Sequence, residues 1–282
     1  MTRIRFVLIS AGLLAALPAS AANKNIILSD SLLANADKWE VKQGAQWAGH
    51  IHQWRFGDYA VVASKQGWTT GHTHTNFWKT KTESQTTNKF SFVLTNKTND
   101  SALVNTAREI RSRSNPGLNL GHGTTVGGDG LTVEADRFVA YITNSQDTTE
   151  VWELSIRQTD VSDRHGESIE GEATHEAVLT SGERRIVLNP VFSKKFDKRP
   201  SFGSLVTMTF RPPAMGYEFV EDGRSLCAVE YSSSAVARAF KNTVWMDRNA
   251  DPRTQLVLAA AMTAVLQLKI QDAEAPAEPE HE

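Results

Sequence analysis

Residues 251–268 read DPRTQLVLAAAMTAVLQL, and this stretch decides how the rest of the chain must fold. Asp251 is a residue type that caps the free amides of a first helical turn, and Pro252 suits the first helical position. From Leu256 to Leu268 apolar residues cover almost the whole circumference of such a helix, so it has no polar face for water. Its wholly apolar part is shorter than the ~20 residues that span a bilayer core of ~30 Å. We therefore predict a core helix that packs against, or threads through, the remaining structure.

The segments before this helix alternate apolar and polar residues, which predicts strands with one buried face. The stretch 101–113 is open to interpretation as a helix or a strand. Further strands are predicted at 45–56, 58–64, 131–135, 137–143 and 184–189. The clearest apolar rows are Phe90, Phe92 and Leu94; Trp152, Leu154 and Ile156; and Phe202, Val206, Met208 and Phe210.

The strongest hairpin signal lies between Tyr217 and Tyr231, where two alternating runs flank Asp222 and Gly223. This pair tolerates the positive φ angles of a type I′ turn. Many short strands with a single helix predict a mainly β fold, an antiparallel sandwich or barrel packed on one apolar C-terminal helix. In its order of elements, many strands and then a buried helix, the chain resembles the layout of tubby-like barrels.

The N-terminus is typical of an export signal. Arg3 and Arg5 precede an apolar run from Phe6 to Leu17, and a small-residue triplet ends at Ala21. We expect residues 1–21 to be a signal peptide cleaved after Ala21, residues 22–270 to form a single β-rich domain, and residues 271–282 to form a disordered acidic tail. The processed protein is then exported, periplasmic or secreted, with no membrane span.

Composition argues against several classes of partner. The formal net charge is -2, and loss of the two signal-peptide arginines makes it -4, so no strong field favours nucleic acid or anionic lipid. Two short basic clusters, 108–113 (REIRSR) and 194–199 (KKFDKR), are interpreted as solvated surface. Cys227 is the only cysteine and lies in an apolar run, so we predict a buried, inert thiol and a fold without an internal disulfide.

Two His-x-His elements are the candidate metal ligands, His50 with His52 and His72 with His74. Residues two apart on a strand point to the same side, and imidazole is the commonest ligand for transition metals. If the two elements lie side by side, four imidazoles bind one divalent transition metal; in the other interpretation the histidines are solvated, with 72–74 in a loop. Gly44, His50 and His52 have the spacing that opens a cupin motif, but the expected Glu is replaced by Phe56 and Gly57, so the family is not assigned.

Five of the seven tryptophans fall between residues 39 and 78. Aromatic side chains fill β cores, and on an exposed sheet face they stack on sugar rings or hold a peptide. The Gly-rich stretch 115–130 is expected to be a surface loop, because a P-loop lysine, a Rossmann spacing and the context of a nucleophile elbow are all missing.

These observations leave two classes of function. The first is a non-catalytic cell-envelope protein that binds a ligand or an envelope partner. The second is a metal-dependent enzyme or metal-binding protein built on the paired histidines. A weaker third option is a carrier with an apolar cavity beside the C-terminal helix.

Overall fold

The computed structural model describes residues 26–76, 81–115, 117–119, 125–163, 169, 174–192, 214–231 and 242–274. The two helices are α1 (Asp30–Asn35) and α2 (Pro252–Glu274). The first strands are β1 (Ala36–Glu40), β2 (Lys42–Gln43), β3 (Trp54–Phe56), β4 (Tyr59–Gln66), β5 (Thr70–Thr75), β6 (Thr82–Thr95), β7 (Ser101–Ser114), β8 (Leu118–Asn119) and β9 (Thr125–Val126). The remaining strands are β10 (Thr132–Asn144), β11 (Asp147–Ser162), β12 (Thr174–Ser181), β13 (Arg184–Val191), β14 (Gly216–Glu221), β15 (Arg224–Glu230) and β16 (Thr243–Asp247).

Fourteen of these strands form one antiparallel sheet, in the order β1-β16-β15-β14-β13-β12-β11-β10-β7-β6-β4-β3-β2, with β5 also paired to β6. The two ends of this order meet because β1 and β2 are one run of chain. β1 pairs with β16 on one side, and β2 pairs with β3 on the other. The sheet is therefore a nearly closed barrel, as the alternating pattern and the single apolar helix predict.

The helix α2 fills the interior of this barrel. All residues from 256 to 268 are at most 2% exposed. Strands from separate parts of the sheet contact the helix. On β3, Nε1 of Trp54 donates to Oε1 of Gln267 at 3.1 Å. On β13, Arg184 donates to Oγ1 of Thr254, and on β7, Arg108 forms an ion pair with Asp272. The small side chains at 259–261 let the strands approach the helix axis closely.

Local signals in the sequence place the main elements correctly. The helix begins at Pro252, and Oδ1 of Asp251 accepts a hydrogen bond from the amide of Thr254 at 2.9 Å. The hairpin turns at Asp222 and Gly223, whose φ angles are 49° and 78°, as a type I′ turn requires. The rows that begin at Phe90 and Trp152 face the core.

Other sequence-based expectations are corrected. Of the strand predicted over 45–56, only Trp54–Phe56 is extended, because 47–50 forms a turn. The ambiguous stretch 101–113 is the strand β7, and the two strands predicted over 131–143 are the single strand β10. The C-terminal helix extends from Pro252 to Glu274. The row from Phe202 to Phe210, the signal segment and the last eight residues lie outside the described residues.

A second, smaller apolar cluster lies on the outside of the barrel. Leu32 of α1 and the preceding residues Ile26 and Leu28 pack with Ala228 and Trp245, whose side chains point away from the barrel interior. This contact attaches the segment before β1 to the outer face of β15 and β16. Among the described helices, none has the length and apolar character needed to span a membrane.

Candidate binding surface

The first histidine pair lies outside the strands: His50 ends the turn 47–50, and His52 comes just before β3. Nδ1 of His52 donates to the carbonyl oxygen of Gly44 at 3.2 Å, which leaves Nε2 to accept a hydrogen bond from the Gln43 amide at 3.1 Å. Nδ1 of His50 donates to the carbonyl oxygen of Ser64 at 2.5 Å. His52 is buried and His50 is exposed, so the two imidazoles do not share a face.

The second histidine pair lies on a strand, which corrects the expectation of a loop. His72 and His74 belong to β5 and pair with Gln85 and Glu83 of β6. All six residues of β5 are exposed, and the two imidazoles point to the same side of the sheet because they are two residues apart.

The two histidine elements lie far apart along β6. Ser64, the partner of His50, is in register with Phe92, whereas His72 is in register with Gln85. Seven residues of strand separate those positions, about 23 Å at ~3.3 Å per residue. The four imidazoles of one chain therefore do not converge, and among the described residues no three His, Cys, Asp or Glu side chains form a group able to hold a metal ion.

The tryptophans of 39–78 divide between the core and the surface. Trp54 is completely buried, and Trp39 is partly buried against the core. Trp47 is 66% exposed and Trp68 is 93% exposed. Trp78 lies outside the described residues. Trp54 and Trp39 thus fit the interpretation as core residues, and Trp47 and Trp68 fit the interpretation as an exposed aromatic surface.

The two exposed tryptophans occupy neighbouring segments. The turn 47–50 lies against the end of β4, because the amide of Gln66 donates to the carbonyl oxygen of Gly49 at 2.7 Å. The side chains of Gln46 and Gln66 are also hydrogen bonded, at 3.1 Å. Trp47 lies two residues before Gly49, and Trp68 lies two residues after Gln66. We call residues 46–50 and 64–69 the tryptophan surface.

The chain around Trp68 carries unusually little charge. Residues 66–76 read QGWTTGHTHTN and contain no Asp, Glu, Lys or Arg. The facing part of β6, residues 84–88, reads SQTTN. This region offers indole rings, amides, hydroxyls and imidazoles, which bind uncharged polar groups by stacking and hydrogen bonding. Sequence reasoning missed this charge-free run beside an exposed tryptophan, although both features are visible in the sequence.

No protein-family model, curated protein or solved structure matches this chain.

Two cavities lie at opposite ends of α2. One, of about 190 Å³, is lined by Glu150, Trp152, Arg184 and Arg253 near the start of the helix. The indole Nε1 of Trp152 and Nε of Arg253 are buried there, and no described residue forms a hydrogen bond with either atom. Since the carboxylates of Glu150 and Asp251 balance the two guanidinium groups, the cavity favours a neutral acceptor such as water rather than an anion.

The other cavity, of about 340 Å³, lies at the end of the helix, where Arg108 forms ion pairs with Asp136 and Asp272. Arg108 is only 14% exposed, so part of the REIRSR cluster is internal rather than solvated surface as expected. The 194–199 cluster lies outside the described residues. The predicted inert thiol is confirmed: Cys227 is fully buried, and burial raises the pKa of its thiol well above the usual value.

Proposed function

We propose that this is an exported, non-catalytic binding protein whose tryptophan surface holds an uncharged glycan. The observation that carries the proposal is the 93% exposure of Trp68. Burial of a tryptophan side chain stabilises a fold by roughly 2–3 kcal/mol, and a fully solvated tryptophan does not contribute this free energy. The exposed Trp68 therefore does not stabilise the fold in the way that the buried Trp54 and Trp152 do. A ligand that covers the indole recovers that free energy.

The chemistry of the surroundings favours a sugar ligand. A sugar ring has an apolar face that stacks on an indole and a rim of hydroxyls that exchange hydrogen bonds with amide side chains. Gln46 and Gln66 provide such amides between the two tryptophans. The charge-free run 66–76 matches a neutral polymer better than an acidic or basic one.

The fold also supports a binding role over a carrier role. The barrel interior is taken by α2, whose residues 256–268 are buried all round, so the axis holds no room for an apolar cargo. A ligand is therefore expected to bind on the outer surface of the barrel.

The proposal is tested by titrating cello- and chito-oligosaccharides into the processed protein and following tryptophan quenching by acrylamide. Binding is expected to protect the exposed indoles of the parent from quenching. Because the Trp47→Ala, Trp68→Ala double variant lacks these indoles, its affinity is measured by titration calorimetry and is expected to be at least tenfold weaker than the parent's. Tyr141→Ala is the matched control, because Tyr141 is an exposed aromatic three strands from β4. Equal affinity of parent and double variant, or protection by short peptides and not by the sugars, overturns the proposal.

Metal binding is a second candidate function. It is favoured by one observation, the placement of His72 and His74 on one exposed face of β5.

A further inference from the structure

The strand β5 forms an edge of the sheet that no other described strand covers. Among the described residues it pairs only with β6, and its six residues are all exposed. Natural sheet edges are usually protected by charged side chains or proline, and β5, with the sequence TGHTHT, has neither. Such an edge is a template for a further strand.

The hydrogen bonds of β6 identify which groups of β5 are open. The amide of Gly67 donates to the carbonyl oxygen of Lys89, and the amide of Asn76, just after β5, donates to the carbonyl oxygen of Lys81, just before β6. The backbone groups of odd-numbered residues in β6 therefore point toward β5. These residues are in register with Thr70, His72 and His74, so the backbone groups of Gly71, Thr73 and Thr75 face the open edge.

This edge is complementary to itself. When two β5 strands pair antiparallel about a two-fold axis through Thr73, each Thr73 faces the other and each Gly71 faces Thr75 of the second copy. Every open backbone group from Gly71 to Thr75 is then paired. His72 lies directly opposite His74 of the second copy, in the non-hydrogen-bonded type of pair, with Cα atoms about 4.5 Å apart.

We propose that two copies of this chain pair through β5 and bind one zinc ion between the four imidazoles of His72 and His74. All four side chains lie on the same face of the joined sheet, two residues apart along each strand and directly opposite across it. Four imidazole nitrogens at ~2.0–2.1 Å make the closed tetrahedral set that zinc prefers. The inference deepens the metal-binding candidate and does not depend on glycan binding.

One carboxylate lies next to the proposed zinc ligands. Glu83 is in register with His74, and its carboxylate accepts a contact from Lys81 at 2.6 Å. A carboxylate beside a zinc-bound imidazole accepts the second ring N–H and orients the ligand.

The first experiment measures the mass of the processed, untagged protein by sedimentation with zinc and with a chelator. The expected result is one chain in chelator, two chains in zinc, and one bound zinc per two chains. His72→Ala and His74→Ala are expected to remain single chains, whereas the control His50→Ala pairs as the parent does. A parent that stays a single chain in zinc, or pairing that survives both histidine changes, overturns the proposal.

The second experiment separates strand pairing from a loose metal bridge. Thr73→Lys keeps both histidines and places two like charges opposite each other on the axis, which opposes pairing. Thr73→Pro removes a backbone N–H that faces the open edge. It leaves the pairing of β5 with β6 intact, because the hydrogen bonds to β6 come from Thr70, His72 and His74. Both variants are expected to stay single chains in zinc while retaining the parent's circular dichroism. Zinc-dependent pairing of Thr73→Lys overturns the register. The Trp47→Ala, Trp68→Ala variant is expected to pair normally, so a failure of glycan binding is distinguished from a failure of this inference.

Discussion

The indole Nε1 of Trp54 donates a hydrogen bond to Oε1 of Gln267 at 3.1 Å, between two side chains that are both completely buried. The bond ties β3, next to the closing strand, to the helix on the barrel axis. Two polar groups that are far apart in sequence thus satisfy each other where no water reaches them. Among the residues that the structure describes, Nε2 of Gln267 has no partner, and Trp54 provides the only hydrogen bond to this amide.

Trp54→Phe is expected to lower the free energy of unfolding by about 2–4 kcal/mol, because it opens space and leaves a buried amide wholly unpaired. Urea titration of Trp54→Phe, Gln267→Leu and the double variant measures this. The decrease in the free energy of unfolding of the double variant is expected to be at least 1 kcal/mol smaller than the sum of the decreases in the two single variants. The reason is that the double variant removes both partners and leaves neither unpaired. Strict additivity would show that the hydrogen bond contributes nothing.

Ala260→Leu is expected to destabilise the protein by about 1–3 kcal/mol, because Ala260 is completely buried and the strands leave no volume for three more carbons. Ala45→Leu is the control, since Ala45 is exposed. Thermal unfolding of the two variants should therefore differ in midpoint by several degrees. Equal midpoints would contradict the placement of α2 on the barrel axis.

Alkaline unfolding is expected between pH 10 and 12. Burial raises the pKa of Tyr59 and of Tyr217 to about 12, above the value of about 10 in an unfolded chain. Their neutral forms stabilise the fold fully below pH 10, and this stabilisation is lost as the pH rises toward 12. Tyrosinate absorbance and far-ultraviolet circular dichroism should change together in this range. Tyr217→Phe should move the transition to higher pH, and an unchanged or lower transition would contradict the assignment.

Export is expected to remove residues 1–21, so the mature chain begins at Ala22. Intact mass and N-terminal sequencing of protein recovered from the periplasm or culture medium of an expression host check this. Replacement of Ala19 and Ala21 by arginine removes the small side chains that the peptidase reads, and should leave the precursor uncut. Efficient cleavage of that variant would show that the site lies elsewhere.

The sequence predicts the fold well where a side-chain pattern repeats locally. Alternation marks the rows that begin at Phe90 and Trp152, and the Asp222–Gly223 pair marks the hairpin, because each depends only on neighbours in the chain. The prediction of one strand over 45–56 is wrong because a turn separates the apolar residues of this segment. The spacing of apolar residues does not by itself distinguish a strand from a turn that packs against a strand.

The sequence by itself determined the antiparallel strands and the single buried helix, since periodicity, caps and turn residues act within a few residues. The tertiary structure decided which histidines and tryptophans share a surface. His50 is bonded to β4 and His72 belongs to β5, and both strands pair with β6. Register along β6 separates the two histidines, and only long-range pairing sets register. Burial of Trp54 was likewise fixed by its packing against α2, which no local pattern encodes.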